Sequence, residues 1–288
     1  MATRAAARHH VDIPDAEGEF GRIAKGIANT LSYVEENPRD LKRLLQNSLR
    51  LAGLRSYRNP SAGELETWQA YVQVMQASSA IFAVALGTEG TVEIRFGEQT
   101  LEFPAGSTRG IADAGNWVTA FYFAIMCRDQ ARLNMLAAVP IELLRATGSM
   151  YDEYIYDWIA TLQAYWSEDT DLPSKLRAAF EGTNPGNTRI APADLMLEIL
   201  FPPINLFYRF FDEQREEFND TLAEALRLHD RFWDSEEDNR KTSRIGFIAA
   251  GPLAMACLAY DADFPIDVES DYLPEHILHR TWLGEFPT

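Results

Sequence analysis

The chain has 288 residues, a hydrophobic fraction of 47% and a formal net charge of −17 at pH 7. That apolar content is ample for an extensive core, so the composition excludes a globally disordered chain. The negative charge excludes nucleic acid and anionic membrane surfaces as partners and favours a basic protein. Both cysteines lie inside apolar runs, which excludes a disulfide scaffold and indicates a reduced, cytoplasmic protein.

The acidic residues are concentrated toward the C-terminus. Residues 211–288 hold 18 Asp and Glu against 7 Lys and Arg, a net charge of −11. Residues 1–210 hold 25 against 19, a net charge of −6. We therefore expect the last quarter of the chain to carry the strongest negative field, and that field would steer a basic partner toward it.

Helical periodicity dominates most of the chain. The first helix is predicted over residues 38–57, where leucines recur along one stripe. Asn37 and Pro38 stand at its N-cap and first helical position, where these residue types are favoured. Residues 1–15 contain no apolar stretch, and we expect them to be flexible.

A second helix and a β-hairpin come next in the sequence. Ser61 and Glu64 match a capping box, which predicts a helix to about Leu86 that is apolar on most sides. Residues 91–96 and 100–103 alternate polar and apolar side chains around a short turn, which predicts a β-hairpin. Because a two-stranded sheet is marginal alone, we expect the hairpin to lie on a helix.

The rest of the chain is predicted to be helical, with one interruption. Proline and glycine cluster in residues 169–192, which marks a seam within a single domain over residues 1–288. No fixed-period repeat is present. The predicted fold class is therefore mainly α, an irregular stack of helical hairpins with one small β-hairpin insertion. Further helices are predicted over residues 112–127, 129–145, 151–166, 173–181, 192–200, 203–213, 214–233, 243–260 and 272–280.

The sequence contains no catalytic, cofactor or metal motif of a familiar kind. Phosphate-cradling glycine loops and the G-x-S-x-G nucleophile elbow are absent. His276 and His279 lie three residues apart, but no cysteine stands near enough to complete a zinc site. We therefore predict that the protein is not an enzyme and needs neither a cofactor nor a metal.

An acidic cluster near the middle of the chain is the first candidate partner-binding site. In the helix predicted over residues 151–166, large apolar residues form the core stripe, and Asp152, Glu153 and Asp157 fall toward the other side. A solvated acidic face is the commoner meaning of this pattern. A partner-binding face and a pair of carboxylates for general acid–base catalysis are the alternatives.

The stretch from Asp261 to Glu275, in which acids alternate with aromatic residues and prolines, is the second candidate. Carboxylates supply electrostatic steering and aromatic side chains supply contact area, so the composition suits docking against a basic protein. An ordinary polar loop followed by a helix cap is the other interpretation. The partner-binding candidates here are Asp267, Glu269, Asp271, Tyr272 and Glu275.

Six segments spread along the chain together carry a family resemblance. They are residues 112–121 (ADAGNWVTAF), 150–158 (MYDEYIYDW), 202–210 (PPINLFYRF), 251–261 (GPLAMACLAYD), 269–275 (ESDYLPE) and 284–288 (GEFPT). This pattern, which runs from about Phe20 to the C-terminus, resembles the immunity 49 family (Imm49) of bacterial polymorphic toxin systems, frequent in actinomycetes. The resemblance implies a cytoplasmic, mostly helical protein that binds and neutralises a cognate toxin encoded nearby. It implies no particular toxin-contacting residues.

The sequence therefore predicts an immunity protein, a monomer or small homo-oligomer, that occludes a basic toxin surface such as a nuclease active site. Two alternative functions remain open. A helical scaffold or regulatory adaptor would show an extended groove for a basic partner. An enzyme of unrecognised type would show a deep pocket that brings Asp152 and Asp157 to a histidine and strongly shifts the pKa of a carboxyl group.

Overall fold

The centre of the molecule is a long helix that is covered on several sides. This helix, α3 (Leu65–Leu86), contains one charged residue, Glu66, and most of its side chains are buried. The hydroxyls of Ser78 and Ser79 donate to the carbonyls of the preceding turn, so these polar groups are satisfied inside the core. The computed structural model describes residues 4–184, 186–286 and 288.

The chain is mainly helical with one antiparallel hairpin, which confirms the predicted fold class. The helices besides α3 are α1 (Ala16–Leu31), α2 (Leu41–Arg58), α4 (Ala114–Cys127), α5 (Gln130–Ala137), α6 (Ile141–Arg145), α7 (Glu153–Trp166), α8 (Leu172–Gly182), α9 (Ala193–Leu195), α10 (Phe201–Phe211), α11 (Arg215–Trp233), α12 (Ala250–Asp261) and α13 (Glu275–Leu278). Around α3, α2 packs against one side and α4 against another, while α7 and α8 form a pair and α10 packs on α11.

The predicted hairpin is confirmed and lies on α3. Its strands β2 (Thr91–Phe96) and β3 (Gln99–Pro104) pair so that Ile94 faces Leu101. The apolar face of the hairpin is buried, and the backbone N–H of Gly97 donates to the side chain of Gln76 on α3 at 2.8 Å. The helix thus supplies the apolar support that two strands lack by themselves.

Several predicted helix boundaries were wrong. The capping box does not form, because Ala62 takes a left-handed conformation and the backbone N–H of Glu64 donates to Asn59. Asn37 makes no side-chain cap, and a 3₁₀ turn over Pro38–Asp40 precedes α2. The helix predicted over residues 129–145 divides into α5 and α6, because a proline at position 140 stops the first segment.

One helix was missed, and two predicted helices are one. Residues 16–31 form α1, whose N-terminal N–H groups are capped by Asp15. The stretch from α9 to α10 is continuous through a π-helical turn over Met196–Leu200. Two adjacent prolines follow that turn, and since neither has an N–H to donate, regular α-helical hydrogen bonding is interrupted there.

The N-terminal segment, which we expected to be flexible, is packed against the C-terminal stretch in the structure; residues 1–3 lie outside the described part of the chain. β1 (Arg4–Ala5) runs parallel to β4 (Val268–Glu269). The backbone N–H of Ala6 donates to the carbonyl of Glu269 at 3.0 Å, and Ala6 is buried. Backbone pairing and burial, rather than an apolar run, hold this segment in place.

Two buried histidines, His9 of this segment and His229 of α11, lie beside Tyr272. The Nδ1 atom of His9 is 2.7 Å from the hydroxyl of Tyr272, and the Nε2 atom of His229 is 2.9 Å from the carbonyl oxygen of Gly246. The ring of His229 packs edge-on against Tyr272. Burial lowers the pKa of His9 to about 4 and that of His229 to about 3, so both imidazoles are neutral near neutral pH.

We therefore predict that the protein loses stability in mild acid. The unfolded chain takes up protons below about pH 6.5 while the folded chain does not, so stability falls as the pH drops below that value. Between about pH 7 and about pH 5, the free energy of unfolding should fall by roughly 2 kcal/mol because of His229, and by a smaller amount because of His9. Urea unfolding at a series of pH values measures this. His229→Gln should flatten the dependence, and the exposed control His279→Gln should leave it unchanged.

A second prediction concerns two helical glycines. A Cβ atom on Gly53 of α2 would lie 1.8 Å from the carbonyl oxygen of Arg244, whereas one on Gly21 of α1 would have nothing within 4 Å. Gly53→Ala should therefore lower the free energy of unfolding by more than about 2 kcal/mol, because a backbone segment must move. Gly21→Ala should raise it by roughly 0.5–1 kcal/mol through reduced chain entropy. If both substitutions changed the free energy of unfolding by the same amount in chemical denaturation, the close approach of Gly53 to the carbonyl of Arg244 would be contradicted.

Candidate functional site

The structure joins the C-terminal acids to acids on α11. The guanidinium of Arg4 bonds to Asp220 at 2.6 Å and to Glu216 at 2.5 Å, while its backbone N–H donates to the carbonyl of Asp267. Acids about fifty residues apart in the sequence therefore lie on one surface. We give the name C-terminal acidic surface to the acids around this contact: Glu216, Glu217 and Asp220 of α11, with Asp267, Glu269 and Asp271 of the segment that pairs with residues 4–8.

This surface keeps an excess of negative charge. Among the described residues, three of its six carboxylates form ion pairs, Glu216 and Asp220 with Arg4 and Asp271 with the buried side chain of Arg8. Glu217 and Glu269 are exposed and take part in no ion pair within the described part of the chain. Glu275, the other predicted contact residue, is also exposed and lies 3.9 Å from His279. These carboxylates are accessible to a basic partner.

The sequence interpretation missed the contribution of α11. Glu216, Asp220 and Glu224 are spaced four residues apart, which places them on one face of a helix that was itself predicted. That spacing was a usable signal for an acidic face. What the sequence did not show is that the N-terminal segment brings this face beside β4.

Tyr272 is not part of the exposed surface, contrary to the prediction. Its side chain is 1% exposed and its hydroxyl is held by His9. Burial raises the pKa of Tyr272, so its hydroxyl stays protonated. The residue joins the N-terminal segment to the C-terminal segment through its contact with His9.

Asp152, predicted to lie on a partner-binding face, has an internal role in the structure. Its buried carboxylate accepts hydrogen bonds from the backbone N–H groups of Arg189, Ile190 and Ala191, the shortest at 2.7 Å. Burial alone would raise the pKa of Asp152, but the three donated hydrogen bonds outweigh it and lower the pKa. Through these hydrogen bonds, the carboxylate joins residues 189–191, at the end of the predicted seam over residues 169–192, to the start of α7.

The other two residues of this cluster remain at the surface. Glu153 is exposed and forms an ion pair with Arg145, whose guanidinium lies 3.8 Å from the centre of the Tyr156 ring. Asp157 is half-buried, and its pKa is raised by desolvation and by the neighbouring Glu153. The pattern is that of a solvated acidic face with local pairing.

A cavity of about 460 Å³ opens between α4, α7, α11 and the start of α12. Its walls are mainly apolar and aromatic. Three of the residues that line it are exposed apolar side chains at its mouth, Met150, Ile190 and Ile245. The interior is formed by Tyr122, Tyr154, Ile155, Trp158, Pro203, His229, Trp233 and Ile248, among others.

The cavity does not assemble the acid–base group that an enzyme would need. Asp152 and His229 both line it, but Asp157 does not. The carboxylate of Asp152 is occupied by backbone donors and has a lowered pKa, and His229 is engaged with Gly246. Neither group is placed to exchange a proton with a substrate at neutral pH.

Two other features, a metal site and a membrane-spanning helix, are absent from the described part of the chain. Within residues 4–184, 186–286 and 288, no three His, Cys, Asp or Glu side chains gather closely enough to hold a metal ion. In the same part of the chain, no helix combines the length and apolar character needed to cross a membrane.

The fold and these surfaces define a helical protein with an acidic face and an apolar cavity, features that suit binding to another protein. The family model of immunity protein 49 matches residues 59–277, well over half of the chain, and the chain belongs to that family. Members of the family are non-enzymatic proteins that neutralise toxins. No curated protein and no solved structure gives a significant match to the chain.

The role of Asp152 gives a testable prediction. Asp152→Ala should lower the free energy of unfolding by roughly 2 kcal/mol or more, because three backbone N–H groups lose a charged acceptor. The neighbouring change Glu153→Ala should alter it by no more than about 0.5 kcal/mol, since that ion pair is exposed. Thermal unfolding distinguishes the two. An Asp152→Ala protein of unchanged stability but weakened partner binding would restore Asp152 to the binding surface.

Proposed function

We propose that this protein neutralises its cognate toxin by direct binding, and that the C-terminal acidic surface covers a basic surface of that toxin. Family membership supplies the inhibitory role. The binding site of a nuclease for phosphate groups is rich in Lys and Arg, so a nuclease active site is the toxin surface that fits best. The protein acts in the cytoplasm, on a toxin encoded by the adjacent gene.

The observation that supports this proposal is the excess of carboxylates on one surface. Of the six acids of this surface, Glu216, Asp220 and Asp271 pair with two arginines, and the whole chain carries a net charge of −17. A concentrated negative surface accelerates encounter with a positive one and orients it. It also opposes binding to other anionic partners. Direct occlusion needs no chemistry from the inhibitor, consistent with a family of non-enzymatic proteins.

Charge reversal tests the proposal. The triple variant Glu217→Lys, Glu269→Lys and Glu275→Lys alters two exposed carboxylates of this surface and the exposed Glu275, the remaining acidic candidate of the C-terminal stretch. It leaves the ion pair of Asp271 with Arg8 intact. With the purified product of the adjacent gene, the association rate constant should fall about tenfold or more at low salt. The wild-type rate should itself fall as salt is added, because screening weakens steering. Stopped-flow fluorescence measures both rates.

The matched control has the same change in net charge on the hairpin: Glu89→Lys, Glu93→Lys and Glu98→Lys, all exposed. Its association rate should fall less than that of the first variant. If the association rate constants of the two triple variants fall by the same factor, the overall charge of the protein, and not this surface, steers the encounter. If the first variant folds and still protects toxin-expressing cells as well as the wild type does, the C-terminal acidic surface is not the inhibitory face.

A further inference from the structure

We infer that the cavity between α4, α7, α11 and α12 is a binding site for an uncharged, largely hydrocarbon small molecule. None of the six acids of the C-terminal acidic surface lines this cavity, so the site goes beyond the proposed function and does not depend on it. The size of the cavity, the polar groups that line it and the construction of its walls support this assignment.

The volume of the cavity sets the size of the ligand. At about 460 Å³ it lies within the range of small-molecule sites. An apolar cavity of about 150 Å³ holds one benzene molecule, so a molecule of roughly 12–18 non-hydrogen atoms would fill this one. Met150, Ile190 and Ile245, exposed at the mouth, continue the apolar lining outward to solvent. An apolar molecule therefore meets apolar side chains along its entry path.

The two carboxylates that line the cavity are already occupied. The oxygens of Asp152 accept from three backbone N–H groups at 2.7 to 3.2 Å, and Glu198 lies 2.8 Å from the guanidinium of Arg231. No Lys or Arg lines the cavity among the described residues. An anionic ligand would find no cation in the wall, and a cationic ligand would find no free carboxylate. A charged group would lose its hydration there without a compensating partner.

The neutral polar groups of the lining are directed toward the protein itself. The indole N–H of Trp158 donates to the hydroxyl of Tyr122 at 2.9 Å, and the Nε2 atom of His229 lies 2.9 Å from a main-chain carbonyl oxygen. The Tyr154 hydroxyl and the Trp233 Nε1–H are covered by protein atoms, so a ligand in the cavity does not reach them. The wall thus offers contact area rather than hydrogen bonds, and a ligand with few polar groups loses least on entry.

Two features of the chain build the walls in advance of a ligand. The π-helical turn between α9 and α10 contributes Glu198, Ile199 and Leu200 to the lining, and turns of this kind are rare and found mostly at functional sites. The hydrogen bonds to Asp152 fix residues 189–191, which include Ile190 of the mouth. The cavity is therefore preformed, as small-molecule sites usually are.

Two dyes that differ in charge test the inference. N-phenylnaphthylamine is uncharged and has the expected size, and anilinonaphthalene sulfonate adds a sulfonate to the same ring system. With the purified full chain, the uncharged dye should become fluorescent and bind one site with a dissociation constant on the order of 10–100 µM. The sulfonate should bind at least about tenfold more weakly, because the wall offers it no cation. At ten times its dissociation constant, the uncharged dye should raise the Tm by roughly 2–5 °C.

A pair of matched variants locates the dye. Val118 of α4 is half-buried and lines the cavity, so Val118→Phe should reduce the cavity volume and weaken binding of the uncharged dye about tenfold or more. Val92 of β2 is half-buried and packs on the same core but does not line the cavity, so Val92→Phe should bind the dye as the wild type does. Ile199→Phe, in the π-helical turn, replaces Val118→Phe if that variant does not fold.

Three results overturn the inference: no binding of the uncharged dye to the wild type, equal binding by the two valine variants, or equally tight binding of the sulfonate. The product of the adjacent gene separates a ligand site from a protein interface. If it displaces the bound dye and binds more weakly to Val118→Phe, the cavity belongs to the interface and the inference is overturned. If the dye stays bound, the inference is supported. The dye measurements do not use the toxin, so their failure leaves the proposed function standing.

Discussion

The burial of α3 is the constraint on which the rest of the structure depends. A helix of 22 residues with one charged side chain has no face to offer water, so the molecule must cover it. The apolar stripe of α2, the helix α4 and the inner face of the β2–β3 hairpin provide that cover. Because these elements turn their apolar faces inward, polar and acidic groups lie at the periphery, where the C-terminal acidic surface is found.

In the proposed function, the C-terminal acidic surface acts over distance through charge, which governs how fast a partner arrives and how it is oriented. Such a role requires no reaction from the protein, in agreement with its membership in a family of non-enzymatic toxin inhibitors.

Buried polar residues join parts of the chain that are distant in sequence. Asp152 binds the backbone of residues 189–191 to the start of α7, and the contact between His9 and Tyr272 joins the two ends of the chain. Both Asp152 and Tyr272 were predicted to meet a partner. A sequence shows that a residue is acidic or aromatic, but its burial depends on segments that pack over it from elsewhere.

The sequence by itself determined the helical fold class, the hairpin on a helix, the family and the acidic C-terminal quarter, because periodicity, composition and long segment patterns are local properties. Tertiary structure alone decided which acids share a surface. Arg4 binds two carboxylates of α11 through its guanidinium and the main-chain carbonyl of Asp267, just before β4, through its backbone N–H. Its segment has no helical or strand periodicity, and β1 exists only because β4 pairs with it. The cavity likewise has no sequence signature, since its mouth is assembled from residues 150, 190 and 245, which only packing brings together.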